Sequence, residues 1–595
     1  MTDFRRTLLW VAFTMSLLML WDKWHVFHGE PSMFSPRPVA KALPTPRPAS
    51  APTVDTAALA AAASPGSAAS GAAAPLPIAQ VTVQTDVVKA TLDTRGADLV
   101  DLDLLKYQEV DNHSEIWRTL KGLVGLHDAV PPKADVKVFD TSATEFYAAQ
   151  TGLANVPGRD GLQHGVMRLV SSDRALAPGS NELNLRFESP EINGVQLVKT
   201  YTFHRGSYAI DVTHEVVNHS GAPVSPDLYL QLVRDGRVPP GGYFSGPSTY
   251  TGPAVYTDER FHKISFSDID KGKAKDTIDT KAMTTNGWIA MIQHYFSSVW
   301  IIAPGTSRSY SVGNFDSSVH GQPTYFTAMF TPIGTVAPGS SKTVKATLFA
   351  GPQEEQLLAP LAPNLEQVKD YGLLKIVAQP LFWLLAKLHT LIGNWGWSIV
   401  ALVFLIKAAF YGLNASAYRS MAKVKAVAPR LAEIKERYKD NMQLQQQETM
   451  KIYREEKINP LGGCLPILIQ MPIFFALFTV LTSAAEMRGA PWVLWIHDLS
   501  VMDPYAILPV LMTASSLVQI ALQPKPADPM QARMMWIMPL AFSAALFSFP
   551  AGLTLYWVTN NILTIAQQWL INRQINGPKP PKAGGKVSEA KIVKA

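Results

Sequence analysis

Lys407 is the one full charge in the apolar run from Asn394 to Asn414. A charged side chain inside a membrane span costs at least ~2.5–3.5 kcal/mol on insertion scales, so it is rarely incidental. Tyr411 and Asn414 follow Lys407 at i+4 and i+7, one helical stripe. A second polar stripe, Tyr556, Asn560, Thr564 and Gln567, recurs at i, i+4, i+8 and i+11 near the C-terminus. Gln470 sits in the apolar Leu465–Leu481 run, where an amide needs a partner from another helix. Three apolar helices thus each offer a polar face, and the chemistry available to them is binding. A cation among amides and hydroxyls around water attracts acidic segments. Two plainer readings stay open: Lys407 snorkels toward the Asn414 end, about two turns away, or the stripes hydrogen-bond to one another with no cavity.

The elements that must position these residues are apolar segments at Asn394–Asn414, Cys464–Ala485, Tyr505–Leu522, Met534–Phe549 and Leu553–Leu570. The last three are short for a ~30 Å hydrocarbon core, which implies local thinning or shielding by neighbours. Near the N-terminus Arg5-Arg6 precedes the apolar run Thr7–Trp21, without a small-x-small cleavage site and with Trp21 and Trp24 as interfacial anchors. Residues 1–24 therefore read as an uncleaved signal anchor, making six spans. Ala415–Pro460 holds ten Lys/Arg and the stretch after Ile571 six, whereas Glu486–Pro504 has only Arg488 and Pro550–Gly552 none. The positive-inside rule places the first two in the cytoplasm with both termini, and the other two outside. Residues 371–392 read as an amphipathic helix in the interface, kinked at Pro380. Residues 415–460 read as a mobile cytoplasmic hairpin of two helices of about four turns each, punctuated by Pro429 and the turn at Tyr438–Asn441.

Between the anchor and these helices the composition changes twice. Residues 25–80 form a Pro/Ala/Ser-rich linker too poor in large apolar groups to offset its ordering entropy. Residues 81–355 carry period-two alternation, as in Thr200–Phe203, Tyr208–Val216 and Thr343–Phe349, separated by turns such as His204-Arg-Gly206. This predicts a large exported antiparallel β-sandwich. Its histidines, His164, His204, His214, His219 and His294, fall in no HxH or HExxH spacing, so no metal site is expected. The single cysteine, Cys464, excludes an internal disulfide. The net charge of +6 lies in a few loops, which suits membrane topology better than nucleic-acid reading.

Longer motifs recur in order: Asn394-Trp-Gly396, Asn459-Pro-Leu-Gly-Gly-Cys-Leu-Pro466 with Gln470-Met-Pro-Ile-Phe474, Trp495-Ile-His-Asp-Leu-Ser500 with Asp503-Pro-Tyr505, and Phe549-Pro-Ala-Gly-Leu553 with Leu555-Tyr556. Over residues 371–573 they resemble the YidC/Oxa/Alb membrane protein insertases, and the exported domain with its anchor resembles the long Gram-negative form. The resemblance implies a five-helix core at 394–573 enclosing a hydrophilic groove open to the cytoplasm and closed outside, in a bacterial inner membrane. It implies groove residues Lys407, Tyr411, Asn414, Gln470, Tyr556, Trp557, Asn560, Thr564 and Gln567. Lys407 stands where the family usually has arginine, which keeps the charge and loses the bidentate fork. Trp557 replaces a frequent tyrosine and Val403 an occasional threonine. Expected partners are nascent integral membrane proteins, the Sec translocon, membrane lipids, and the ribosome through the hairpin and the basic tail 574–595. No cofactor is expected, and no GxxxxGK[ST] phosphate loop occurs. The competing readings are a small-solute transporter, which calls for internal repeats and broken helices, and a membrane-anchored carbohydrate-active protein, which calls for paired carboxylates in the exported domain.

Overall fold

The computed structural model describes residues 78–109, 134–156, 159–163, 165–237, 250–257, 259–319, 321–372, 374–439, 441–457, 465–523, 529–547 and 549–576. The signal anchor, the linker up to residue 77, His164, the start of the Asn459–Pro466 motif and the tail beyond residue 576 lie outside them. The chain divides into two compact units.

The first unit contains two nine-stranded, fully antiparallel sheets. One runs through Gln80–Gln84, Val88–Asp93, Asp98–Gln108, Tyr147–Val156, Asp227–Asp235, Gln322–Pro332 and Ser309–Val319, with Asp135–Phe139 and Arg159–Gln163 pairing off that path. At the centre of the other, Ser341–Pro352, Ala209–Asn218 and Val195–His204 lie side by side, so the three alternating segments of the sequence are neighbours. Residues 209–218 alternate between half-buried and buried along the whole strand, and Gly206 makes the preceding turn with φ of 70°. The two sheets share one core, which includes Leu92, Leu102, Leu185, Val212, Trp288 and Trp300. Each such side chain contributes about 1.5–3 kcal/mol of burial.

A polar group is built into this core. Thr151 Oγ donates to the Tyr229 carbonyl at 2.9 Å, so the His214 contact at 2.8 Å has Nε2–H as its donor. Lys199, also buried, faces His214 across the strand pair and donates to the Gly96 and Thr151 carbonyls. Burial and the Lys199 charge push the His214 imidazole down to about 3. The unfolded chain therefore takes up a proton near pH 6.5 that the folded one refuses until about pH 3. Stability is full above pH 6.5 and falls as pH drops through this window, by up to ~1.4 kcal/mol per unit. His214→Gln is expected to remove about one proton's worth of that slope in denaturant titrations of the full chain; an unchanged slope would contradict it.

The first unit also contains Thr479–Tyr505, of which sequence reading assigned Thr479–Ala485 to an apolar span and Glu486–Pro504 to an outer loop. Its Glu486 carboxylate accepts from Lys369 Nζ at 2.7 and 2.9 Å. The Lys369 side chain is 1 % exposed, and desolvation lowers its pKa. Arg488 donates to the Gln108 carbonyl at 2.7 Å and lies over the rings of Tyr295 and Phe296. His294 meets the Thr482 carbonyl at 2.9 Å. The motif residues fold the loop itself: Asp503 accepts from Trp495 Nε1 and from its own downstream Tyr505 N–H, and Asp498 accepts from Ser500.

The second unit is helical. Its elements are α1 (Lys375–Ile392), α2 (Trp395–Ala409), α3 (Tyr411–Arg437), α4 (Met442–Glu455), most of α5 (Leu465–Ser483), α6 (Ile507–Leu522), α7 (Pro529–Leu546) and α8 (Ala551–Asn576). Two boundaries differ from expectation. The helix after the charged run continues for 27 residues with Pro429 inside it, in place of a four-turn helix. Asn441 caps α4 by accepting from Leu444 N–H at 3.0 Å, so the turn is where the sequence put it. The final helix runs to Asn576, two residues into the expected tail. The hairpin of α3 and α4 has a small core of Val427 and Ile452 with Leu431, and Arg430 pairs with Glu456 at 2.8 Å. Among the described residues no single helix is long and apolar enough to cross a membrane; Trp395–Ala409 with Tyr411–Val424 reaches that only as a pair bent by 64°.

Candidate functional site

Asn394 caps α2, its Oδ1 accepting from Trp397 N–H at 3.1 Å, while Trp395 stacks on His389 of α1 at 4.0 Å. The motif that opens the charged run is therefore a helix start. About four turns later α2 ends at Phe410, with φ −92° and ψ 11°, and α3 leaves it at 64°. Neither proline nor glycine occupies the break. It corrects the expectation of one helix over Asn394–Asn414: Lys407 closes α2, Tyr411 and Asn414 open α3, and their stripe is interrupted.

A helix end leaves its last carbonyls without intrahelical donors, and in an apolar setting these need partners. Gln567 of α8 supplies one. Its Nε2 donates to the Lys407 carbonyl at 2.9 Å, and its Oε1 accepts from Asn414 Nδ2 at 3.2 Å. One amide thus clasps both sides of the bend.

The Lys407 side chain is 8 % exposed and donates from Nζ to Thr564 Oγ at 2.9 Å. The Thr564 hydroxyl spends its own proton on the Asn560 carbonyl at 2.6 Å, which turns a lone pair toward the ammonium. Among the described residues no carboxylate lies within ion-pair distance of Lys407, and Thr564 is its one hydrogen-bond partner. Two of its three N–H donors are uncommitted. Asn560 Oδ1 is buried without a partner. The ammonium is thus held between helices and does not snorkel.

About 16 Å along α8 from Gln567, Tyr556 forms a second group. Its hydroxyl accepts from Gln470 Nε2 at 3.4 Å, and Phe474 stacks on its ring and meets Trp557 edge-on at 4.8 Å. The structure therefore gathers Lys407, Asn414, Asn560, Thr564 and Gln567 in one set, and Gln470, Tyr556 and Trp557 in another. Tyr411, 36 % exposed, belongs to neither.

Sequence reading missed a third contact of α8. Asn561 donates to Ser515 and Ser516 of α6 at 3.0 and 2.8 Å, and Gln568 to the Leu522 carbonyl at 3.2 Å. The Ser515-Ser516 pair in an apolar helix and the doubled Asn560-Asn561 were the available signals. Together the sites offer a buried cation, amides and hydroxyls, groups suited to binding a polar or anionic segment.

Two family profiles match the chain, one described as the YidC periplasmic domain over residues 80–384 and one as the 60 kDa inner membrane protein over residues 387–579. A protein of Ralstonia nicotianae named membrane protein insertase YidC is 47 % identical over 98 % of this chain and 100 % of its own length. A solved structure titled as an active YidC insertase with its first transmembrane domain resolved is similar at 17 % identity and a TM-score of 0.37, covering 83 % of this chain and 93 % of that one. A galactose mutarotase-like protein of Lactobacillus casei matches 46 % of this chain and 100 % of its own, at 10 % identity and a TM-score of 0.26. Scores that low carry no argument about either protein.

Proposed function

Because this chain belongs to the YidC family of membrane protein insertases, we propose that its helical unit draws the acidic, polar end of an incoming membrane protein toward Lys407 and releases its apolar segment sideways into lipid. The inner membrane and a periplasmic domain come with the family. The finer reading has six spans, with the anchor 1–24, the α2–α3 pair, α5, α6, α7 and α8 crossing a locally thinned bilayer. Both termini and the α3–α4 hairpin are cytoplasmic, as the distribution of basic residues supports. The nine polar and aromatic residues from Lys407 to Gln567 line a wet groove on the cytoplasmic side.

The observation that carries this reading is a buried lysine with two uncommitted donors and no carboxylate beside it. An ammonium left unneutralised in a helical membrane unit is costly unless water or a passing anion meets it. Water in a half-deep groove shortens the low-dielectric path of a client's tail. Attraction over ~4 Å is worth about 1 kcal/mol in bulk water and about four times that at an effective dielectric near 20. The membrane potential then helps a negative tail outward by ~2.3 kcal/mol per charge per 100 mV. The Sec translocon is the proposed membrane partner, and the ribosome is met through the basic hairpin and tail.

Reconstitution of the full chain in liposomes tests the proposal. A short single-span client should be inserted several-fold above protein-free liposomes without nucleotide. Insertion no better than in protein-free liposomes would overturn it.

A further inference from the structure

Between α1, α2 and α8 lies an apolar groove of about 600 Å³. Leu388 and Ile392 form one wall, Val400, Ala401 and Phe404 the floor, and Ile562 the other wall, with Thr559 the one polar residue. Phe404 is 59 % and Ile562 54 % exposed, so the groove opens outward. We propose that it holds one acyl chain of an anionic phospholipid, bound as a structural lipid at the root of α1. The orientation rests on the membrane reading given above.

Length argues for this occupant. The groove follows α2 from Trp397 to Leu405, a rise of about 12 Å. That is close to one leaflet of a ~30 Å core and far short of a spanning helix of ~20 residues. A client helix or a second copy of this chain would leave most of its surface outside. The volume equals about twenty water-sized units at ~30 Å³ each, the bulk of a single chain. Charge fixes the headgroup. From Lys375 to Leu405 the sequence has Lys375 and Lys387 and no Asp or Glu. Lys387, exposed, immediately precedes the lining residue Leu388 on α1. Lys387 is the cation nearest in sequence to the α1 lining of the groove, and a headgroup phosphate is its natural counter-ion.

The test uses the full chain in phosphatidylethanolamine vesicles containing phosphatidylglycerol with a diazirine near the end of one acyl chain. After illumination, adducts should concentrate on 397–405 and 562–563, and stay sparse on the equally exposed Val510 and Leu511 of α6. Ala401→Trp fills the floor and should lower groove adducts roughly tenfold, the loss of about two buried methylenes. Lys387→Glu, at an exposed position, should lower adducts from the glycerol lipid and spare those from a diazirine phosphatidylethanolamine. Adducts spread evenly over α2 and α6 in the unmodified chain overturn the proposal whatever the variants do. Equal loss of both lipids in Lys387→Glu overturns the anionic preference. Labelling does not depend on insertion, so Lys407→Ala should leave it unchanged; a failed groove and a failed insertase are thereby told apart.

Discussion

Lys407→Ala is expected to cut insertion of a client with two acidic residues in its translocated tail by roughly tenfold or more, and to leave a neutral-tailed client near its original level. The estimate follows from ~1–4 kcal/mol of attraction per close charge pair, at 1.4 kcal/mol per tenfold. Lys407→Arg keeps the charge and should be tolerated, although the guanidinium must find its own fit beside Thr564. Lys407→Glu should fall below Ala, because repulsion replaces attraction. Clients matched for length with zero, one and two acidic tail residues, scored in liposomes at equal protein level, give the readout. A response that does not depend on tail charge would remove the electrostatic role and leave hydration and membrane thinning as the groove's contribution.

The second large effect concerns the first unit. Lys369→Met leaves Glu486 half-enclosed without its cation and should destabilise that unit by ~3–5 kcal/mol, the usual cost of breaking a buried pair from one side. Adding Glu486→Leu removes the stranded carboxylate and should recover most of the loss. Denaturant unfolding of the full chain followed by tryptophan emission reports both, since Trp288 and Trp300 lie in the core of the same unit. If single and double variants are equally unstable, the pair is not the reason Lys369 is buried.

How far the sequence could be read depended on how local the determinant was. Strands at 195–204, 209–218 and 341–352 announce themselves because burial of one sheet face imposes period two. Their order in the sheet does not, since Ala209–Asn218 finds Ser341–Pro352 more than a hundred residues away. Most apolar helices were placed within a few residues, and Lys407, Thr564 and Gln567 were recognisable as polar groups that needed partners. The break at Phe410 was not legible. No proline marks it, Gly412 two residues on does not by itself end a helix, and the donor that satisfies the opened carbonyl arrives from Gln567 on another helix. Pro429 misled for the converse reason: α3 continues through it, with Val427 and Leu431 on either side packed with Ile452 of α4. The loop with Glu486 and Arg488 read as a sparse outer turn because Lys369 and Gln108 are remote in sequence.

That remoteness has a consequence for the making of the protein. Lys407 is synthesised 157 residues before Thr564, and its carbonyl waits 160 residues for the Gln567 amide. At ~5–20 residues per second, α2 exists for about 8–30 s with an unsheltered ammonium and an open backbone acceptor. During that interval the nascent chain carries a defect of the kind its own family exists to manage. Only α8 closes it, so the charged site completes its hydrogen bonds long after α2 itself is made.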